Sequence, residues 1–257
     1  MEYGAMLDDT FAYAKESIWG RTNRWLTLIV CMIIFPLILG YIVRIYRGVI
    51  PAPEPDQWGT MFVDGLKLLV VEIIYASPVI LLVILAFMPL LGTIFTSGLL
   101  TNDFSSMTDS QAEHWLASHP EFFSSFGIMV ILLLCAIILG IIITLFSFLG
   151  AVRFARSGSI AEAFNFSAIL SHIRRIGWLN YLFALIVISV IGFIFGMILN
   201  IFSLIPVIGE ITGFIILIVL YVPFIVFTSR YAALVYDAGE EKSGTGSGTH
   251  DAAQNPQ

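Results

Sequence analysis

From Phe126 to Val152 the sequence reads FGIMVILLLCAIILGIIITLFSFLGAV, an uncharged run that Arg153 ends. At about 1.5 Å rise per residue a helix of this length outruns the roughly 30 Å hydrocarbon layer of a bilayer, so it crosses with room to tilt. The stretch reads as a transmembrane helix and the chain as a membrane protein. The same texture recurs outward from it. Trp25 to Val43 is apolar with Pro36 near its middle, and Leu66 to about Leu100 carries Pro78 and Pro89. Trp178 to Phe202 leads through Leu204-Ile-Pro206-Val-Ile-Gly209 into Ile211 to about Tyr231, which contains Pro223. The expectation is an all-α fold, a polytopic membrane helical bundle with about five apolar segments, kinked or broken at its internal prolines.

Composition points the same way. Of 257 residues, 58% are hydrophobic and 12% charged, against about 25% charged in soluble domains, and the mean hydropathy is +0.94. A net charge of −6, with twelve Lys and Arg scattered beside apolar runs, lacks the basic field that nucleic acid requires. Cys31 and Cys135 each lie in an apolar run and read as small buried hydrophobes. A mostly polar stretch precedes Trp25 and Arg44 follows Val43, so the pattern predicts no cleavable signal peptide.

The connections are amphipathic. In residues 1–24, Leu7, Phe11, Ala14 and Ile18 fall on one helical face, which reads either as a helix on the membrane surface or as one docked on the bundle. Pro51-Ala-Pro53-Glu-Pro55 favours an extended linker, after which Asp56 is a candidate cap for a helix with Trp58, Phe62, Leu66 and Leu69 on one face. Ser110 with Glu113 fits a capping box over a short helix in the acidic loop 101–125. Ser159 with Glu162 fits another, opening a helix with Phe166, Ile169, Ile173 and Ile176 on one side and Asn165, His172 and Arg175 towards the other. From Asp237 the composition turns to Gly, Ser, Thr, Asp and Gln, so 237–257 is expected to be a disordered polar tail behind a 25–236 membrane domain.

Basic residues orient the chain. Arg44, Arg47, Arg153, Arg156, Arg174 and Arg175 flank two connections, and Arg230 and Lys242 follow the last span, whereas the loops at 101–125 and 203–210 have none. The positive-inside rule makes these six arginines cytoplasmic-face anchors and puts the connector helices and the C-terminus in the cytoplasm. Five full spans would leave Lys15, Arg21 and Arg24 outside; a first segment that breaks at Pro36 and re-enters would keep every basic residue inside. Re-entrant backbone needs protein or water around it, so five spans is the expectation and re-entry its rival.

Few residues invite chemistry. Glu72 is the one acidic residue well inside an apolar run, which makes it a candidate intramembrane polar site with Lys67. Lys67 lies five residues earlier, so the Glu72 carboxylate is also within reach of headgroups or an arginine, and structural pairing is the simpler expectation. Gly192, Gly196, Gly209 and Gly213 make two GxxxG patterns, read as helix packing within the bundle. His114 and His119 match no zinc spacing, and Asn165-Phe-Ser167 is a glycosylation sequon on the side assigned to the cytoplasm. There is no HExxH, SxxK, GxSxG or phosphate-binding glycine loop, so neither enzyme activity nor a cofactor is expected.

Gly40-Tyr41-Ile-Val-Arg44, the proline linker leading to Trp58, Asp64-Gly65-Leu66-Lys67 with Tyr75 and Pro78, and Glu162-Ala163-Phe164 together resemble the prokaryotic, largely archaeal membrane family catalogued as domain of unknown function 4013. The resemblance spans roughly residues 20–236 and implies a multi-pass protein of the cytoplasmic membrane, without an activity. The functional expectation is a non-catalytic membrane component that organises lipid or assembles with other membrane proteins or itself. The competing expectation is a small-solute or ion transporter with its polar site near Glu72.

Overall fold

The computed structural model describes residues 2–97, 108–203 and 209–247. Among the described residues there are ten helices and no strand: α1 (Tyr3–Ile18), α2 (Thr22–Ile33), α3 (Phe35–Tyr46), α4 (Trp58–Thr96), α5 (Asp109–Ser118), α6 (Pro120–Ser157), α7 (Ile160–Ala163), α8 (Phe166–Ile176), α9 (Trp178–Ser203) and α10 (Gly209–Ser247). Four of them are long and apolar enough to cross a membrane: α4, α6, α9 and the Ile216–Glu241 part of α10. Leu81, Ile84 and Met88 on α4 and Ile131, Ile138 and Ile141 on α6 are exposed. Outward-facing side chains of this kind need lipid as their solvent.

The first apolar segment is not a fifth span. It divides into α2 and α3, each of 12 residues and therefore only about 18 Å long. Ile34, at φ −99° and ψ 81°, leaves the helical region between them, and Pro36 falls in the first turn of α3, where its missing N–H is not needed. The segment also doubles back. Arg24 at the start of α2 donates to the Glu54 carboxylate, and Arg44 near the end of α3 donates to the Glu54 carbonyl at 2.9 Å. Both ends thus share one partner, so the five-span expectation is corrected to four spans preceded by a helical hairpin.

The hairpin is held by two glycines. A Cβ on Gly40 would sit inside the Met61 carbonyl, and one on Gly65 inside the Pro36 carbonyl, so α3 and α4 cross backbone against backbone. Tyr41 closes the corner by donating to the Pro53 carbonyl at 3.0 Å.

Prolines do not break the long helices, because other donors serve two of the carbonyls they abandon. Pro78 cannot bond the Ile74 carbonyl, and the Ser77 hydroxyl donates to it at 2.9 Å. Pro223 likewise abandons the Val219 carbonyl, and the Trp25 indole N–H fills it at 3.1 Å. At 39 residues, α4 is about 58 Å long, so part of it lies beyond any single crossing.

Several connectors differ from expectation. Asp56 accepts from Arg44 and does not cap α4, which begins after Gln57 in a left-handed turn at φ 47°. The α5 capping box is Thr108 with Gln111, two residues ahead of the expected pair. The helix expected after Ser159 splits in two because Glu162 turns to Arg153, and Asn165 caps α8 by accepting from the Ala168 N–H at 3.2 Å. On α1 the buried face is Thr10, Tyr13, Ala14, Ser17 and Ile18, while Phe11 points out. The Thr10 and Ser17 hydroxyls become buriable by donating to the Met6 and Ala14 carbonyls of their own helix.

Beyond the expected boundary at Asp237, α10 runs on to Ser247, with Asp237 in contact with Arg156 and Gly239 seated on α8. The remainder of the expected tail, 248–257, lies outside the described residues.

The chain divides into two compact units, residues 1–72 with 146–257, and residues 73–145. In the first, Tyr13, Leu28, Cys31, Leu37, Tyr41, Met61 and Val226 are among the buried residues that join α1–α4 to α10. In the second, α4 and α6 run antiparallel, with Val79 against Gly140 and the hydroxyls of Thr93 and Ser125 bonded at 2.7 Å in a buried position. Cys135 in this unit is exposed, contrary to its expected burial, whereas Cys31 in the first is fully buried.

Candidate functional site

The first unit collects arginines against carboxylates that sequence spacing does not link. Arg24 binds Glu54, and Arg44 binds Asp56 at 2.7 Å. Arg47 binds Asp64 at 2.7 Å and the Ala155 carbonyl at 3.2 Å. Arg153 donates to Glu162 at 2.8 Å, and Arg156 to Asp237 at 2.6 Å and the Tyr46 carbonyl at 2.6 Å. Arg230 donates to Asp9 at 2.8 Å, its guanidinium 5.0 Å from the Tyr13 ring centre. Four of the expected face anchors, Arg44, Arg47, Arg153 and Arg156, therefore serve as ties within the first unit, Arg44 to the linker before α4 and the others between helices. Arg24 holds the Glu54 carboxyl below the usual carboxylate range, and Arg153 does the same for Glu162. Each tie neutralises its own charge, which leaves the outward-facing cations to act on anything outside the protein.

On α8, Arg174 and Arg175 are exposed while His172 is buried, reversing its expected place on the wheel. Arg175 can only donate, and it lies 2.9 Å from His172 Nδ1. Nδ1 is thereby the acceptor, and Nε2 carries the proton it donates to the Tyr236 carbonyl at 2.8 Å. Burial pushes the imidazole pKa down, so the neutral form is built in. The His172 ring stacks on Tyr236 at 4.1 Å, and only a glycine at 239 leaves room for it.

A groove opens between α1, α2, α9 and α10. It encloses about 710 Å³ and is walled by Phe11, Ile18, Trp19, Trp25, Ile194, Phe195, Ile198 and Phe224, with Lys15 at its edge. Phe195 and Phe224, both in its lining, stack at 4.0 Å. Gly20 and Thr22 pass from this groove into an adjoining polar notch of about 420 Å³, lined also by Arg21, Asn23, Arg24 and Glu54. Arg24 is 4% exposed and locked to Glu54, whereas Arg21 is 42% exposed and only grazes Glu54 at 3.5 Å. An apolar trough thus adjoins a notch where one guanidinium is saturated and another is available.

The other candidates are placed as follows. Glu72 is exposed on α4 and makes no hydrogen bond or ion pair with any described residue; Lys67 approaches Asp64 at 4.0 Å. The arginine pairing expected for Glu72 is absent among the described residues. Gly192 faces the Phe224 ring at 3.9 Å and Gly196 meets nothing within 4 Å, while Gly209 and Gly213 lie in the first turns of α10. His119 stacks on Trp115 at 4.4 Å and its Nδ1 lies 2.9 Å from the Trp115 carbonyl.

Sequence reasoning missed Arg24, Glu54, Arg230 and Asp9 as ties, and the pairing of Trp25 with Pro223. One signal was present: an interior proline announces an unserved carbonyl four residues earlier, and an indole N–H is among the few donors at home in an apolar layer.

A family model described as Protein of unknown function (DUF4013) matches residues 25–204. No curated protein and no solved structure matches significantly.

Proposed function

Because the chain belongs to the DUF4013 family of proteins of unknown function, whose description supplies no activity, we propose its role from its own geometry: a non-catalytic multi-pass membrane component that organises anionic lipid at the cytoplasmic leaflet. Four crossings by α4, α6, α9 and α10 return the chain to the side on which it started. With the first segment folded back, the Lys and Arg outside the crossings fall on that side, and the positive-inside rule makes it cytoplasmic, the C-terminus included. The carrying observation is the division of labour among the cations. Arg24, Arg44, Arg47, Arg153, Arg156 and Arg230 are consumed in internal ties, and Lys15, Arg21, Arg174 and Arg175 remain turned outward. Exposed basic side chains at a bilayer surface attract anionic headgroups by about 1 kcal/mol each.

Spin-labelled lipids in reconstituted vesicles test this reading. The fraction immobilised by the full chain is expected to be larger for phosphatidylglycerol than for phosphatidylcholine, and equal fractions would overturn it. A cysteine introduced in place of the exposed Asp8 is expected to resist impermeant thiol reagents in intact cells.

A second reading rests on one observation, the carboxylate of Glu72 without an ion pair among the described residues, in the apolar run of α4 that follows Lys67. In that reading the protein moves a proton or small cation, and Glu72→Gln abolishes the flux in proteoliposomes.

A further inference from the structure

We infer that the groove between α1, α2, α9 and α10 is a binding site for one anionic glycerophospholipid, with an acyl chain lying along Phe195 and Phe224 and the phosphate held by Arg21 and Lys15. The inference deepens the lipid reading above and rests on it, since it names where and how a particular lipid is kept.

Size comes first. A volume of about 710 Å³ falls within the roughly 300–1,000 Å³ range of small-molecule sites. Its wall on α9 runs from Ile191 to Ile198, two turns or about 11 Å, enough for a substantial part of an acyl chain. The lining is almost wholly aliphatic and aromatic, and Trp19, 79% exposed, stands at its edge. An indole in that position favours the level where chain meets headgroup.

Charge then selects the occupant. The polar notch shares Gly20 and Thr22 with the trough, so an apolar tail in one places its headgroup at the other. Three cations, Lys15, Arg21 and Arg24, face the two spaces against a single carboxylate, Glu54, which Arg24 already occupies. Lys15 has no ion partner among the described residues, and Arg21 is weakly held at 3.5 Å. A zwitterionic headgroup would bring a second positive charge into this basic corner, whereas phosphatidylglycerol brings none. Arg21 also suits the task, because a guanidinium offers paired donors to phosphate oxygens.

Native mass spectrometry of the full chain in detergent, titrated with phosphatidylglycerol or phosphatidylcholine, tests the site. The wild-type protein is expected to retain one phosphatidylglycerol with about tenfold preference, the size of one or two charge-assisted hydrogen bonds. The exposed substitutions Lys15→Gln and Arg21→Gln together should bring the two lipids close to parity. Ile194→Trp, which fills the trough from an exposed position, should weaken both lipids, and Ile198→Trp is the companion variant should the first not fold. Ser171→Ala, exposed on α8 and not among the lining residues of either space, should change nothing. The site is overturned if the double variant keeps its preference, or if a filled trough binds as the wild type does. Spin-label selectivity separates the two levels of the argument. If it persists in the wild type while these variants bind normally, only the assigned site falls; if it is absent from the wild type, the lipid role falls as well.

Discussion

The hairpin of residues 73–145 and the remainder of the chain solve the same problem by different means. In the hairpin, α4 and α6 carry the small residues Ala86, Ala136 and Gly140, and a buried hydroxyl pair joins Thr93 and Ser125. In the larger unit the short helices α1, α2, α3 and α8 accompany α9 and α10, and the elements are tied by guanidinium–carboxylate pairs and side-chain-to-carbonyl bonds. Long regular helices satisfy their own backbones and need only shape to associate in lipid. A doubled-back segment exposes carbonyls and turns, and these call for named donors. Polar bonding is therefore concentrated where regular helix is interrupted.

The sharpest test of this contrast uses glycine. Gly40→Ala or Gly65→Ala should destabilise the protein by about 3 kcal/mol or more, because the new methyl meets backbone that cannot move aside. Gly140→Ala should be tolerated, since its nearest neighbour is Val79 at 3.9 Å. Unfolding in mixed detergent micelles with increasing dodecyl sulfate reads both, and equal losses would erase the distinction between the two units.

Ties come next in size. Arg24→Met removes donors to Glu54 from a side chain only 4% exposed and is expected to lower stability by about 1–2 kcal/mol in the same titration. Thr93→Val in the hairpin should lose less than about 1 kcal/mol, in line with hydroxyl bonds between membrane helices. Trp25→Phe should forfeit about 1 kcal/mol by leaving the Val219 carbonyl unserved. With Pro223→Ala in the background, the restored backbone N–H serves that carbonyl and the Trp25→Phe loss should shrink; a double-mutant cycle without coupling would refute the assignment.

The smallest effect is in pH. Because His172 is held neutral, its folded pKa lies below the ordinary value of about 6.5. Above that value both folded and unfolded states are neutral and the α8–α10 contact has its full strength. As pH falls below it, the unfolded chain takes up a proton that the folded chain refuses, so stability declines until the folded pKa is passed. Arg175, Arg153 and Glu240 are the charged groups that act on the ring. The protection factors of the α8 amides, exchange rates taken relative to their intrinsic rates, should fall as pH drops below about 6.5, and His172→Gln should flatten that dependence, with no counterpart in 73–145.

Much of the larger pattern was legible. The spans of α6 and α9 follow from hydropathy alone, since nothing but lipid accommodates such runs. Pro36 announced a break, yet whether the segment crossed or returned depended on Arg24 and Arg44 finding one glutamate, a meeting no local pattern encodes. His172 was placed on the polar face because an imidazole reads as polar, and its burial depends on a carbonyl and a glycine contributed by α10. Asp237 read as the start of a polar tail because its partner, Arg156, lies on another helix. Helices that bury themselves in lipid are written locally; contacts that close the fold are written across the whole chain.

The bond between Trp25 and Val219 joins residues 194 positions apart, and Asp9 meets Arg230 across 221. At translation rates of about 5–20 residues per second, the indole waits roughly ten to forty seconds for its acceptor to be made. During biogenesis the opening helices remain an unfinished half of a clasp until the closing helix arrives. A nascent chain arrested before that helix would carry a tryptophan whose acceptor had not yet been made.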